Sequence, residues 1–299
     1  MATAFVLSGG GSLGAVQVGM LHALAEDGVE PDLLVGTSAG ALNAAWVAAH
    51  GMSQDSLQEL GRIWTELRRP DIFPVDLRQV IRAAVGLSPA LSSAHRLGRL
   101  VAARADVENV EDTAVPLVLL ATDLLAGTGV VISDGPLVDG VLASAAIPGV
   151  FPPVSKDGAV LVDGVVSGQS GVAQAVALGA TTIYVLPTGA ACALPRPPRS
   201  AIGVALHSLT SLIERRLATE MAAYADAATI KVLPALCPLA VSPADFGHAA
   251  ELIERSLEAS RTWIAHGEID LPSPERFLAV HKHDVPITSP AGRGRQSLG

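Results

Sequence analysis

Residues 4–24 read AFVLSGGGSLGAVQVGMLHAL: a short apolar run, three consecutive glycines, then apolar positions at helical spacing. A strand that turns through glycines directly into a helix opens an α/β fold, and its amide-rich turn suits an anion. Gly9, Gly11 and Gly14 fit the G-x-G-x-x-G pattern that cradles a dinucleotide pyrophosphate. That chemistry also needs a carboxylate about 20 residues on, at the end of the second strand, to hold the ribose. The second apolar run, DLLVG at 32–36, ends at Gly36, while Glu30 and Asp32 fall before it or at its start. The carboxylate is missing, which argues against a nicotinamide oxidoreductase.

What stands there instead is GTSAG, residues 36–40, a G-x-S-x-G sequence between a strand and a helix. Gly36 and Gly40 lack β-carbons, so a sharp turn can push Ser38 outward. The small residues of AGALNAAWVAAH let the following helix settle close to a sheet. Both turns belong at the carboxyl ends of neighbouring parallel strands, with the glycine-loop amides facing the volume that Ser38 would attack. Backbone N–H groups aimed at a developing oxyanion are worth about 3 kcal/mol each. Either motif alone also serves as a plain strand-to-helix connection, with Ser38 as an N-cap. On consecutive units they read together as a nucleophile elbow (Gly36, Ser38, Gly40) and an oxyanion hole.

The alternation continues along the chain. Strand-length apolar runs lie at 4–8, 32–36, 115–122, 129–133, 159–163, 181–186 and 229–233. Helical patterns lie at 14–26, 39–50, 56–67, 171–178, 201–225 and 249–266. The fold class expected is therefore α/β, with a mostly parallel sheet covered by helices on both faces. Asp157-Gly158 marks a hairpin turn feeding the strand at 159–163. No long linker or internal repeat appears, so one domain is expected over 1–287, followed by a disordered tail at 288–299.

Of 299 residues, 49% are hydrophobic and 16% charged, enough for a sizeable core. A net charge of −9 argues against a nucleic-acid partner. Cys192 and Cys237 can form at most one bridge and are expected as free thiols in a reducing cytoplasm. No basic stretch leads into an apolar segment at the N-terminus, so no secretory signal is expected. The uncharged stretches 33–54 and 175–195 approach spanning length, but their Gly, Thr and Ser or Pro residues suit buried strand–helix units. The expected state is a soluble cytoplasmic protein. Neither a Cys–His cluster nor an EF-hand-like loop appears, so no metal or cofactor is expected.

Ser38 needs a proton acceptor. Among His22, His50, His95, His207, His248, His266, His281 and His283, none ends an apolar strand at a turn signal. Asp163 does: it closes AVLVDG, with Gly164 next. Asp123, in LLATDLLAG, has a comparable setting, while Asp134 and Asp139 sit in less apolar contexts. Partial burial would raise the basicity of either strand-end aspartate. From the residues alone, Asp163 and Asp123 both stay open.

Four motifs in this order resemble the patatin-like phospholipase family: GGGSLG (9–14), GTSAG, ASAAIPGVFPPV (143–154) and LVDGVVSGQSGVAQAVALGATTIYVL (161–186). The resemblance runs from about residue 4 to 236. It implies an α/β/α three-layer sandwich, a Ser–Asp dyad without histidine, and hydrolysis of fatty-acyl esters of lipids, phospholipase A or lysophospholipase-like. It further implies Ser38 as nucleophile, Asp163 as base, and the loop of Gly9, Gly10, Gly11 and Gly14 as oxyanion hole, chiefly through the amides of Gly10 and Gly11. Three positions depart from the family pattern. Leu13 replaces a basic residue, Val165 stands third in the D-G-G/A motif, and Gln169-Ser170-Gly171 replaces Asn-x-Pro. The competing functions are a Ser–His–Asp esterase of non-lipid substrates, through His207 or His248, and a catalytically weak lipid-binding protein.

Residues 78–104 carry Arg78, Arg82, Arg96, Arg99 and Arg104 and no acid, interleaved with Ile81, Leu87, Leu91, Leu97 and Leu100. Such a segment either lies against an anionic membrane surface beside the active-site mouth or forms two surface helices with a solvated basic face.

Overall fold

A computed structural model of the chain describes residues 2–74 and 76–271. The proposed tail at 288–299, the last residues of the expected domain, His281 and His283 lie outside the described residues. Eight strands form one sheet: β1 (Ala2–Leu7), β2 (Leu33–Thr37), β3 (Leu117–Asp123), β4 (Gly129–Ile132), β5 (Val154–Lys156), β6 (Ala159–Asp163), β7 (Ala180–Leu186) and β8 (Thr229–Val232). The hydrogen-bonded order is β5-β6-β3-β2-β1-β7-β8, with β4 also on β3. Strands β3, β2, β1, β7 and β8 run parallel. Strands β4 and β6 run antiparallel to β3, and β5 antiparallel to β6. The Asp157-Gly158 turn joins β5 to β6 with positive φ at both residues, as a two-residue hairpin requires.

Ten α-helices accompany the strands among the described residues: α1 (Ala15–Glu26), α2 (Ala39–His50), α3 (Gln54–Glu66), α4 (Arg69–Ile72), α5 (Leu77–Ala84), α6 (His95–Ala102), α7 (Leu137–Ser144), α8 (Val172–Ala177), α9 (Ala201–Tyr224) and α10 (Ala249–Ala265). Strand side chains alternate between two apolar layers. Phe5, Leu7, Leu34, Leu119 and Leu186 share one core with α1, α2, α3, α7 and α10. Ala4, Val6, Val35, Leu120 and Val185 share the other with α8 and α9. The molecule is thus an α/β/α sandwich around a mostly parallel mixed sheet. The sequence does not show β5 and α4, which are too brief for a period, nor α7, whereas α3 merely begins two residues early because the Ser53 side chain caps it.

Register along β3 sets up the site. Strand β2 pairs with residues 117–120 of β3, β4 with 119–122, and β6 with 121–123. Because β4 overlaps both β2 and β6, those two strands must share the opposite edge of β3. Thr37 ends β2 opposite Leu120, and Asp163 ends β6 opposite Ala121. Two strands therefore meet tip to tip on one edge, and the residues leaving those tips are Ser38 and Asp163.

Candidate active site

Ser38 has φ 55° and ψ −120°, a backbone state that costs a residue with a side chain about 1–3 kcal/mol. The elbow is held by close approaches that only glycine allows. A β-carbon on Gly36 would lie 2.7 Å from Ala41 Cα, and one on Gly40 would fall on the Leu7 carbonyl. Ser144, at the end of α7, takes up the Ser38 N–H at 3.0 Å and donates its own hydroxyl to Leu120 O at 2.6 Å.

The Ser38 hydroxyl donates to Asp163 Oδ2 at 2.7 Å. Asp163 Oδ1 accepts the Val165 N–H at 3.0 Å. Ser38 and Asp163 are both buried, at 7% and 2% exposure. Burial pushes the Asp163 carboxyl up from 3.8 to about 6, against the smaller opposite pulls of the Val165 N–H and the Ser38 hydroxyl. The backbone around it is pinned as well: Thr122 Oγ1 donates to Asp163 O and accepts the Ser167 N–H. A hydroxyl bonded to a carboxylate of raised basicity, with no imidazole between them, has its proton acceptor in place.

The glycine loop lies beside this pair. Gly10 and Gly11 line the same cleft as Ser38, Asp163 and Val165. Their N–H groups find no acceptor among the described residues. Thr188 Oγ1 donates to Gly9 O at 2.7 Å and fills the space where a Gly10 β-carbon would go. Gly9 packs on the opposite flank, where an ideal β-carbon would lie 3.1 Å from Ser38 Cβ. Gly14 is not brought to the cleft: its missing β-carbon makes room for the Trp64 ring, and its carbonyl accepts from Asn43. Leu13 is fully buried in the core.

Beneath the loop runs a buried polar brace that the sequence reading passed over. Gln17 donates to Ser8 O and Leu186 O; Asn43 donates to Gln17 Oε1 and Gly14 O; Trp64 Nε1 donates to Asn43 Oδ1. The only available signal was an amide in each of two otherwise apolar helical runs.

The rival groups lie elsewhere. Asp123 accepts the N–H groups of Leu125 and Ala126 in a turn, and Asp134 pairs with Lys156. His248 faces Asp245 and Glu251, and His50 stacks on Trp46 and pairs with Asp106. Neither His207 nor His248 contacts Ser38, whose hydroxyl donates to Asp163. The departures near the site are local. Val165 still supplies its N–H to Asp163, and Ser170 ties the loop to Glu220 through both its N–H and its hydroxyl.

An apolar groove opens on the other side of Ser38, with about 410 Å³ of space including its open mouth. Ile72, Phe73, Leu97, Ile147, Phe151 and Phe246 form its walls. Phe73 stacks on Phe151 at 5.5 Å and meets Phe246 edge-on at 6.0 Å. No helix among the described residues is long and apolar enough to cross a membrane.

The fold and the serine–carboxylate pair define an α/β/α protein with the makings of a hydrolase site, and the comparisons place it more narrowly. The patatin-like phospholipase model matches residues 5–176, more than half of the chain. The chain belongs to the patatin-like phospholipase family. It is 32% identical over 168 residues to rat patatin-like phospholipase domain-containing protein 7, covering 54% of this chain and 12% of that protein. It is 32% identical over 189 residues to human patatin-like phospholipase domain-containing protein 6, covering 62% of this chain and 13% of that one. An uncharacterised NTE family protein of Mycobacterium tuberculosis is 32% identical over 166 residues, 54% of this chain and 42% of its own length. The chain thus spans about an eighth of the length of the two mammalian relatives. Among solved structures, VipD from Legionella pneumophila aligns with TM-score 0.41 and 14% identity over 87% of this chain and 67% of that one.

Proposed function

We propose that this chain is a serine acyl hydrolase that cleaves fatty-acyl esters of lipids, with Ser38 as nucleophile and Asp163 as its base. The observation that carries the reading is the 2.7 Å hydrogen bond from the Ser38 hydroxyl to a buried carboxylate, beside an apolar groove that suits an acyl chain. In the first step Ser38 Oγ bonds to the ester carbonyl carbon as its proton passes to Asp163 Oδ2. The carbonyl oxygen becomes an oxyanion facing the N–H groups of Gly10 and Gly11. The C–O bond to the alcohol then breaks, and the alcohol leaves with the proton from Asp163. Water, giving its proton to the same carboxylate, attacks the acyl-enzyme and releases the fatty acid and the Ser38 hydroxyl. A base with pKa about 6 is ionised at neutral pH yet more basic than an ordinary aspartate, which suits this work. The names of the mammalian relatives, both patatin-like phospholipase domain-containing proteins, support a lipid ester as substrate.

The test is hydrolysis of p-nitrophenyl butyrate and product analysis on a mixed lipid panel. Ser38→Ala and Asp163→Asn should each lower kcat about a thousandfold or more while still folding, as a single cooperative melt shows. His207→Ala and His248→Ala should stay within about twofold of wild type, since neither ring reaches the reacting atoms. Wild-type turnover by Asp163→Asn would remove the dyad; loss of activity in a histidine variant would restore the Ser–His–Asp esterase.

A further inference from the structure

Helix α5 is built differently from every neighbour: none of its side chains is buried. Leu77, Ile81 and Val85 are 71%, 54% and 63% exposed, and Leu87, just beyond, is 66% exposed. Four of the twelve exposed large apolar side chains among the described residues thus fall within eleven positions, which is a patch rather than ordinary surface scatter. Leu77, Ile81 and Val85 follow one another at i, i+4 and i+8, so they form a single stripe. Arg78 and Arg82, one residue on, form the adjoining stripe, and both are exposed. The half-buried residues Gln79, Val80 and Ala83 occupy the remaining side, where Gln79 bonds Ser88 Oγ and Ala90 O.

The position of this helix is as telling as its composition. The chain enters it just after Phe73, a wall of the groove beside Ser38. It returns at Leu91 and Ser92, whose N–H groups bond Gly149 O and Val150 O between the groove residues Ile147 and Phe151. Ser92 Oγ also bonds Pro74 O, closing the base of the excursion. The helix is therefore an arm rooted at both ends in the groove's rim.

We infer that α5 is an interfacial anchor that docks the protein on an anionic lipid bilayer, with Leu77, Ile81, Val85 and Leu87 entering the acyl boundary and Arg78 and Arg82 meeting the anionic headgroups. Charge complementarity selects this occupant. The molecule as a whole carries −9, yet the segment from 77 to 105 contains no acid, and Asp76 is engaged in capping the first turn. A bilayer supplies both the apolar and the anionic layer at the depths an amphipathic helix needs, and a second copy of this acidic chain is the rival occupant that the test below separates from it. Of the more distant arginines, Arg96 bonds Pro70 O and faces Asp71, Arg104 lines a separate apolar pocket, and Arg99 is exposed on α6. Docking by α5 would bring the groove mouth to the membrane surface. Its relevance to catalysis rests on the acyl-hydrolase reading, but the docking itself does not.

The experiment is vesicle co-sedimentation of the full chain carrying Ser38→Ala, on phosphatidylglycerol-containing and on pure phosphatidylcholine vesicles. Binding is expected on the anionic vesicles and should weaken in 0.5 M salt as the headgroup attraction is screened. Arg78→Gln with Arg82→Gln should weaken it about thirtyfold. Leu77→Ser with Ile81→Ser and Val85→Ser should weaken it about tenfold or more, with an unchanged circular-dichroism melt. Equal binding to both vesicle types, or binding that neither multiple variant alters, overturns the proposal. So does a wild-type dimer in size-exclusion chromatography that the triple serine variant dissociates while vesicles bind nothing. Vesicle binding by wild type without hydrolysis of any lipid would defeat the acyl-hydrolase reading and leave the anchor standing.

Discussion

Asp163 sits where folding and chemistry pull in opposite directions. Its pKa rises from 3.8 to about 6 because the folded state buries it. A raised carboxyl binds its proton more tightly when folded, so its contribution to stability is fully present below about pH 4 and is lost as pH climbs through 6. Above that, the ionised side chain costs about 3 kcal/mol relative to an exposed aspartate, by the width of the shift. Asp163→Asn removes the charge and keeps the shape. It should melt roughly 5–10 °C higher than wild type at pH 8 and nearly with it at pH 4. Glu214, pushed by burial to about 7, contributes to both proteins alike and cancels in the comparison. Thermal melts of the pair at the two pH values check this; equal melting at pH 8 would mean that the carboxylate is not strained by its site. The same ionisation should govern rate: under the proposed mechanism kcat/KM rises with pH and levels off above about 6, because only the ionised form accepts the Ser38 proton.

At the scale of elements, the legible parts were those with a period or a punctuating residue. The seven longer strands and the helices α1, α2, α3, α8, α9 and α10 show hydrophobic repeats, and Ser38 and Asp163 stand where an apolar strand stops at a glycine turn. The sequence could not reveal that β2 and β6 meet tip to tip, because a shared edge of β3 depends on long-range register. Nor could it reveal Ser144, Thr188, Gln17 and Asn43 as braces, since a side chain bonded to distant backbone leaves no local pattern. Gly19 shows how far such contacts can hide. In isolation it reads as a weak point in α1. In the fold it is where α10 presses against α1: a β-carbon there would collide with Ser256 Oγ and the Ile253 carbonyl, and Ser256 Oγ donates to Val16 O at 2.7 Å. Gly19→Ala should therefore destabilise the protein by about 2 kcal/mol or more, the reverse of the gain expected for this exchange in an exposed helix. Urea denaturation measures it; a stabilised variant would show that the two helices do not touch at this point.

For the molecule as a whole, the matched family region and the folded unit do not coincide. The match stops at residue 176, before β7, yet β7 pairs with β1 along its full length and supplies the second wall of the glycine loop. Without it, Gln17 loses Leu186 O, Gly9 loses the Thr188 hydroxyl, and the edge of β1 lies bare with Phe5 and Leu7 uncovered. Without α10, α1 loses its packing partner as well. An open parallel edge flanked by unburied apolar residues is an aggregation template rather than a smaller domain. A chain ended after residue 178 should accordingly be insoluble or lack a cooperative melt, and should not label with a fluorophosphonate probe at Ser38, while the full chain does. If that fragment proves soluble, melts cooperatively and labels, the oxyanion loop holds its shape without β7, and the brace through Thr188 and Leu186 is dispensable.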